Sequence, residues 1–248
     1  MKILYFTATG NNLYLAKRIG NEYYSIPKLM KERQFEFEDE KIGIVFPVYF
    51  LGIPKIVEEF LNKAKLKSKY IFAVASYGGF SGAATRHLLE IGKRNGIEFS
   101  YINEILMVDN YLPMFDINKE MEKEPKKNIE ENLQKIIWDI QFKREYINKH
   151  SIIRNSIRFL IKNLSKKSQF EKKFSIGDNC NSCKICEKVC PVDNIQVHNK
   201  PVFKDNCQQC LACINHCPQK AIRIKGEKST ARFINQNIRL REIIDANN

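Results

Sequence analysis

The sequence predicts an α/β protein: a doubly wound parallel sheet, a charged helical region, and a small α+β unit built on cysteines. Three observations carry this. From Lys2 to Val108, short apolar runs alternate with stretches of helical periodicity, the rhythm of a parallel sheet covered by helices on both faces. From Ile117 to Ile176 the chain has no glycine, is dense in charge, and places apolar residues at helical spacing. All eight cysteines lie between Cys180 and Cys217.

Lys2 to Phe6 reads as a buried strand. Thr7 to Asn12 is a polar turn with one glycine, and Asn11 or Asn12 is placed to cap the helix that follows. Leu13, Ala16 and Ile19 recur on that helix. Ile42 to Phe46 is a second strand, and Pro54 opens a helix whose buried face is Ile56, Val57, Phe60 and Leu61. Tyr70 to Ala75 is a third strand, Ser81 to Asn95 a helix stopped by Gly96, and Ile102 to Val108 a further strand. Right-handed crossovers then bring three loops to the carboxyl ends of the strands: Thr7–Asn12, Pro47–Gly52 and Ser76–Gly82.

The expected organisation is a sheet domain over residues 1–116, a basic helical connecting region over 117–176, a cysteine domain over 177–226, and a helical tail over 227–248. In the connecting region Ile129, Leu133, Ile136, Ile137, Ile140 and Ile147 form one stripe. Ile153, Ile157, Leu160, Ile161 and Leu164 form another on a strongly basic stretch. Trp138 is expected to pack, and the tail to be helical from about Ala231 to Ile244.

Hydrophobic residues make up 44% of the 248 and charged residues 28%, which excludes global disorder. The longest apolar-rich stretch, Ile42 to Ile53, is broken by Gly43, Pro47 and Gly52 and is too short to span a bilayer. Only four apolar residues precede Thr7 after Met-Lys, too few for a signal peptide, so a cytoplasmic location is expected. The formal charge of +13 suits an acidic redox partner protein or an anionic membrane surface. The basic helical stretch has three readings: a solvated face packed between domains, a dock for an acidic partner, or a peripheral membrane contact. Nucleic acid is not expected, because no basic motif with interleaved aromatics occurs. Oligomeric state is not encoded legibly.

The cysteines form a repeat. Cys180, Cys183, Cys186 and Cys190, followed by Pro191, recur as Cys207, Cys210, Cys213 and Cys217, followed by Pro218, at a constant offset of 27 residues. Ile195 and Val197 in the first copy match Ile222 and Ile224 in the second, as short strands would. A secreted, disulfide-stapled protein would not leave its first 179 residues bare of cysteine. Zinc sites usually pair two C-x2-C units across a longer loop, whereas C-x2-C-x2-C-x3-C-P is the spacing of two four-iron clusters. In that spacing the fourth cysteine of each run ligates the other cluster. One [4Fe–4S] cluster is therefore expected on Cys180, Cys183, Cys186 and Cys217, the other on Cys207, Cys210, Cys213 and Cys190. The four histidines show no paired ligand spacing.

Thr7-Ala8-Thr9-Gly10-Asn11-Asn12 gathers two hydroxyls, two amides and a run of backbone N–H groups at a helix N-terminus, which suits a phosphate dianion. Neither a G-x-G-x-x-G fingerprint nor a Walker loop occurs.

Residues 177–224 resemble the dicluster bacterial-type ferredoxin domain, with both cysteine motifs complete. Thr7, Thr9, Gly10 and Asn11 resemble the phosphate loop of the flavodoxin family, with Asn12 in place of the usual Thr or Ser. The resemblance spans about residues 1–115. It implies FMN, with Ser76-Tyr77-Gly78-Gly79 along the isoalloxazine ring, Pro47-Val48-Tyr49 as the middle loop, and Tyr49 or Tyr77 stacking. The combined order resembles the flavodoxin–ferredoxin fusion proteins of anaerobes (the EFR family), which implies an electron-transfer iron–sulfur flavoprotein. A flavin-dependent reductase of a small substrate stays open, though no acid–base residue stands out near the three loops. A redox-sensing or docking module with an empty flavodoxin-like domain stays open too. Asn110-Tyr111 follows a strand candidate and either borders the flavin or is a plain loop, the second reading being preferred.

Overall fold

A computed structural model describes residues 1–148 and 170–247. The stripe of Ile153, Ile157, Leu160, Ile161 and Leu164, with most of the basic run around it, lies outside the described residues.

The main sheet has six strands, all paired in parallel. β1 (Lys2–Tyr5) lies between β2 (Glu22–Ser25) and β4 (Lys41–Pro47). β6 (Tyr70–Tyr77), β7 (Tyr101–Leu106) and the two-residue β8 (Tyr146–Ile147) follow outward from β4. β3 (Glu36–Glu38) and β5 (Lys65–Lys67) pair with each other outside this sheet. Counting only the first five strands of the main sheet, the order is the 2-1-3-4-5 of a flavodoxin-like doubly wound fold.

Strand alternation divides the core into two layers. Ile3, Tyr5, Val45, Phe72 and Val74 face α1 (Asn11–Ile19) and α6 (Ile129–Gln141). Leu4, Phe6, Ile44, Phe46 and Ala73 face α2 (Ile26–Glu32), α3 (Lys55–Leu61) and α4 (Ala84–Asn95). A short helix α5 (Ile117–Glu122), capped by the Asp116 carboxylate, and a 3-10 turn over Glu124–Lys127 lead into α6.

The cysteine unit repeats its backbone as well as its sequence. β9 (Phe174–Ile176) pairs antiparallel with β12 (Ile222–Ile224), and β11 (Pro201–Phe203) with β10 (Ile195–Val197). The two pairs, and the single-turn helices α7 (Ile185–Lys188) and α8 (Ala212–Asn215), stand at the same offset as the cysteines. Left-handed backbone also recurs in register, Ser182 with Gln209, Lys184 with Leu211 and Asp193 with Lys220. These turns let three cysteines of each run curl round one centre.

Several local expectations change. Gly10, with φ of 101°, caps α1, and Asn11 and Asn12 are its first helical residues. The left-handed turn already bends the chain, so no side chain is needed there to start the helix. β2 and α2 carry no signal: β2 reads Glu-Tyr-Tyr-Ser at a half-exposed sheet edge, and α2 has seven residues, too few for a stripe. Ile147 sits on β8, away from the helical stripe it seemed to extend. Leu133, Ile136 and Ile140 of α6 are buried against the sheet and α1, so this helix completes a sheet face. Trp138 is exposed, its ring 4.8 Å from Phe142 and 4.1 Å from the Arg144 guanidinium. In the tail, helix α9 is confined to Leu240–Asn247, and Phe233, Asn235 and Ile238 are buried in an irregular segment before it that turns between Asn235 and Ile238. Among the described residues no helix is long and apolar enough to cross a membrane.

Ile136→Ala tests whether α6 is core. It should destabilise the protein by about 2–5 kcal/mol in urea denaturation, the usual cost of a buried large-to-small change. A change below about 0.5 kcal/mol, the range of surface substitutions, would place α6 outside the core.

Candidate functional site

The loops after β1, β4, β6 and β7 surround a cavity of about 600 Å³, within the range of small-molecule sites. It lies between β1 and β4, where the strand order reverses, at the carboxyl ends of these parallel strands. Thr7, Thr9, Asn11 and Asn12 line one side, Pro47 and Tyr49 a second, and Ser76, Tyr77, Gly78 and Gly79 a third. Gly10 is not on the wall. A Cβ there would point at the tail, 3.0 Å from Asn235 and 3.1 Å from Ile238.

The first loop is fixed from within and from the tail. Thr7 Oγ1 accepts from the Gly10 N–H at 3.1 Å, and Thr9 Oγ1 accepts from Asn110 Nδ2 at 2.7 Å. The Asn235 N–H donates to Thr9 O at 2.8 Å, and its side-chain amide donates to Asn11 Oδ1 at 3.0 Å. Asn12 is buried, and its Oδ1 has no partner. That oxygen is an acceptor, which a ligand N–H or O–H would satisfy, while the backbone N–H groups at the N-terminus of α1 are the donors suited to an anionic group.

The second and third walls are aromatic and apolar. Tyr49 meets Phe6 edge-on at 6.1 Å, and Phe50 meets Tyr111 at 6.0 Å. Burial pushes the phenols of Tyr49, Tyr77 and Tyr111 up, the Cys210 thiol adding to the shift at Tyr49 and Glu104 at Tyr77. His87 Nδ1 accepts from the Ile53 N–H at 3.3 Å, holding the second loop from behind.

Asn110 and Tyr111, expected to form a plain loop, are part of the wall, together with Asp109. They follow the last long strand, so the rule that ligands bind at the carboxyl ends of strands was the signal that points to them. Gln209, Cys210 and Leu211 close the cavity from the cysteine unit. No sequence signal announced that contact.

The eight cysteines are free of disulfides and fall into two sets. Cys180, Cys183, Cys186 and Cys217 line one small cavity, and Cys190, Cys207, Cys210 and Cys213 line another. Equivalent N–H groups approach equivalent sulfurs: Asn194 to Cys190 at 3.2 Å and Ala221 to Cys217 at 3.3 Å. The Gln209 N–H donates to Cys207 Sγ at 3.3 Å. Burial pushes the Cys186 thiol up to about 12 and Cys207 to about 11, and also raises Cys190, Cys210 and Cys213. Metal cations among these thiols would reverse that penalty and favour the thiolates. Among the described residues no three His, Cys, Asp or Glu side chains are grouped closely enough to hold a metal ion.

Cys210 belongs to one cysteine set and also lines the large cavity. The cysteine unit is docked on the strand ends by several bonds. His216 Nε2 lies 3.0 Å from Ala8 O, and burial keeps its ring toward the neutral form. Gln208 Oε1 accepts from the Ile56 N–H in the first turn of α3 at 3.1 Å, and Lys31 pairs with Asp193 at 2.8 Å. The Phe233 N–H donates to Asn215 Oδ1 at 3.0 Å, which anchors the tail before it reaches the first loop.

No family model and no curated protein matches the chain. Among solved structures, a candidate flavoprotein from Bacteroides uniformis aligns at 15% identity and a TM-score of 0.33, over 48% of this chain and 94% of its own. The rubredoxin oxygen:oxidoreductase of the anaerobe Desulfovibrio gigas aligns at 15% identity and a TM-score of 0.34, over 57% of this chain and 36% of its own. The Trp repressor binding protein of Bacillus subtilis aligns at 14% identity and a TM-score of 0.30, over 43% and 83%. The fold assignment rests on the strand order above and not on these scores.

Asn235→Ala strips the buried Asn11 carbonyl of its partner while keeping the backbone bond to Thr9. It should cost about 1–3 kcal/mol, the penalty of an unsatisfied buried group, read as a lower urea midpoint. An unchanged midpoint would mean that the tail does not brace this loop.

Proposed function

We propose that the chain is an electron-transfer iron–sulfur flavoprotein. The observation that carries this reading is the sorting of eight cysteines into two crossed sets, one of which shares Cys210 with the large cavity. Cys180, Cys183, Cys186 and Cys217 hold one [4Fe–4S] cluster, and Cys207, Cys210, Cys213 and Cys190 hold the other. The large cavity takes FMN. When bound, the clusters supply single-electron exchange, and FMN supplies the junction between one- and two-electron chemistry.

The chain's own residues do the rest. The N-terminus of α1, with Thr7, Thr9, Asn11 and Asn12, receives the phosphate through hydrogen bonds and the helix dipole, without a cation. The loop of Ser76 to Gly79 presents backbone groups to the ring, and Tyr49 or Tyr77 covers one of its faces. Cys210, Gln209 and Leu211 place the second cysteine set against the flavin cavity, so the Cys210 sulfur is the near end of the electron path. The first set lies farther out, with Cys183 exposed and Lys184 beside it. A redox protein with an acidic surface is the partner that fits the net charge of +13.

Reductive titration under anaerobic conditions tests the reading. The chain should take up about four electrons, two at the flavin and one at each cluster. Bound zinc, with no visible chromophore, would overturn it. Cys190→Ala should damage the cluster held by Cys207, Cys210 and Cys213, and loss of the other cluster in its place would disprove the crossed ligation. Thr9→Val should weaken FMN about tenfold or more, the worth of a hydrogen bond to a charged group, with iron content unchanged. Unaltered FMN affinity would remove Thr9 from the phosphate site.

A further inference from the structure

We infer that Asp109 is the proton donor of the large cavity, on a loop that Lys127 braces through the backbone. The inference rests on the reading of that cavity as a flavin site and adds a chemical role that the sequence did not disclose.

The argument starts from charge. Among the described residues lining the cavity, Asp109 is the single carboxylic acid, and no Lys, Arg or His stands with it. A ring that gains an electron pair there gains negative charge in surroundings with no cation on the wall. That charge is relieved most directly by a proton. The other titratable groups on the wall are unsuited to give one. The Tyr49, Tyr77 and Tyr111 phenols are pushed further above neutrality by burial, and Cys210 belongs to a cysteine set.

The placement of Asp109 is specific. Its carboxyl lies directly on Gly78: a Cβ at that position would come within 2.3 Å of Asp109 Oδ2. Gly78 and Gly79 belong to the loop assigned to the ring, so the absence of a side chain at Gly78 is what lets the acid reach over it. Asp109 Oδ1 accepts from the Tyr111 N–H at 3.0 Å. Lys127 Nζ donates to Met107 O at 2.6 Å and to Gly78 O at 3.3 Å, tying together the backbone on both sides of the acid. Lys127 lies 3.7 Å from Glu120, and Glu120 is paired in turn with the exposed Lys123 at 2.6 Å. The groups facing Asp109 are therefore Lys127 and Glu120 from the turns after α5 and within it, and the Tyr111 and Gly79 backbone from the loops. Burial raises the Asp109 carboxyl above the usual carboxylate range and lowers the Lys127 ammonium. Both shifts bring the groups nearer to exchanging protons at neutral pH.

The step balances as follows. Two single electrons arrive from a reduced one-electron redox protein, which is oxidised. With FMN bound, the Asp109 O–H bond would break as an N–H bond formed on the ring that takes up the electron pair. The carboxylate then regains a proton from water, by way of the Lys127–Glu120–Lys123 side of the site.

The test uses the FMN-loaded protein mixed rapidly with a reduced ferredoxin at a series of pH values, with flavin bleaching as the signal. Flavin reduction in the wild type should slow as pH rises through the raised Asp109 pKa. Asp109→Asn should keep its FMN, reduce it about a hundredfold more slowly, and lose that pH dependence, while Asp109→Glu restores it. A wild-type rate and profile in Asp109→Asn would overturn the inference. So would a slow variant that keeps the wild-type profile, which is the mark of a structural role. If Asp109→Asn does not retain FMN, Lys127→Gln decides. Removing the cation should move the pH of the decline upward, and an unmoved profile counts against Asp109. A wild-type protein that binds no FMN is recognised from its spectrum before any variant is made, and it defeats the flavin reading and this inference together.

Discussion

The docking of the cysteine unit onto the carboxyl ends of β1 and β4 is the constraint on which the remaining geometry depends. A doubly wound sheet leaves a crevice at that edge wherever neighbouring strands connect in opposite directions. Here the crevice is closed by a second folded unit. His216 on Ala8, Gln208 on the first turn of α3, and Asn235 on Thr9 and Asn11 hold it in place. The result is a cavity with five walls, four from the loops of the sheet and one from the run around Cys210. A sulfur of one cysteine set therefore stands on the wall of the large cavity, the arrangement on which the proposed electron path rests.

The same docking explains how a small unit with so little core becomes ordered. Two short antiparallel pairs and two single-turn helices bury few apolar side chains alone. The unit gains Val108, Leu112 and Ile117 from the sheet side, and Phe233 from the tail. The tail then runs on over the first loop and ends in α9, where Ile243 and Ala246 join the α1 face of the sheet. The chain thus starts and finishes on the same core, with the cysteine unit clasped between.

Legibility in the sequence followed the length and burial of each element. β4 and β6 are fully buried runs of apolar residues and were plain, as was the stop at Gly96. β2 was not, because an edge strand of Glu, Tyr, Tyr and Ser has neither alternation nor an apolar run. The cysteine spacing was legible as a repeat, two runs of three closely spaced thiols with a fourth carried past each. Thr7, Thr9, Asn11 and Asn12 were legible as a polar turn before a helix. Cys210 was not legible as a cavity residue, because the contact that brings it there joins parts of the chain about a hundred residues or more apart, whereas Asp109 stands just after β7, where the strand-end rule points. Gly10 shows the converse: its residue type marked the turn correctly, while its neighbour in space, Asn235, lay beyond any local pattern.

Iron and flavin content of the anaerobically purified protein, read with its visible spectrum, addresses the central claim most directly. The account predicts about eight iron atoms and about one FMN per chain, with the overlapping absorbance of clusters and flavin. Iron near that level with no FMN would contradict the assignment of the large cavity, and a colourless protein holding zinc would contradict the assignment of the cysteines.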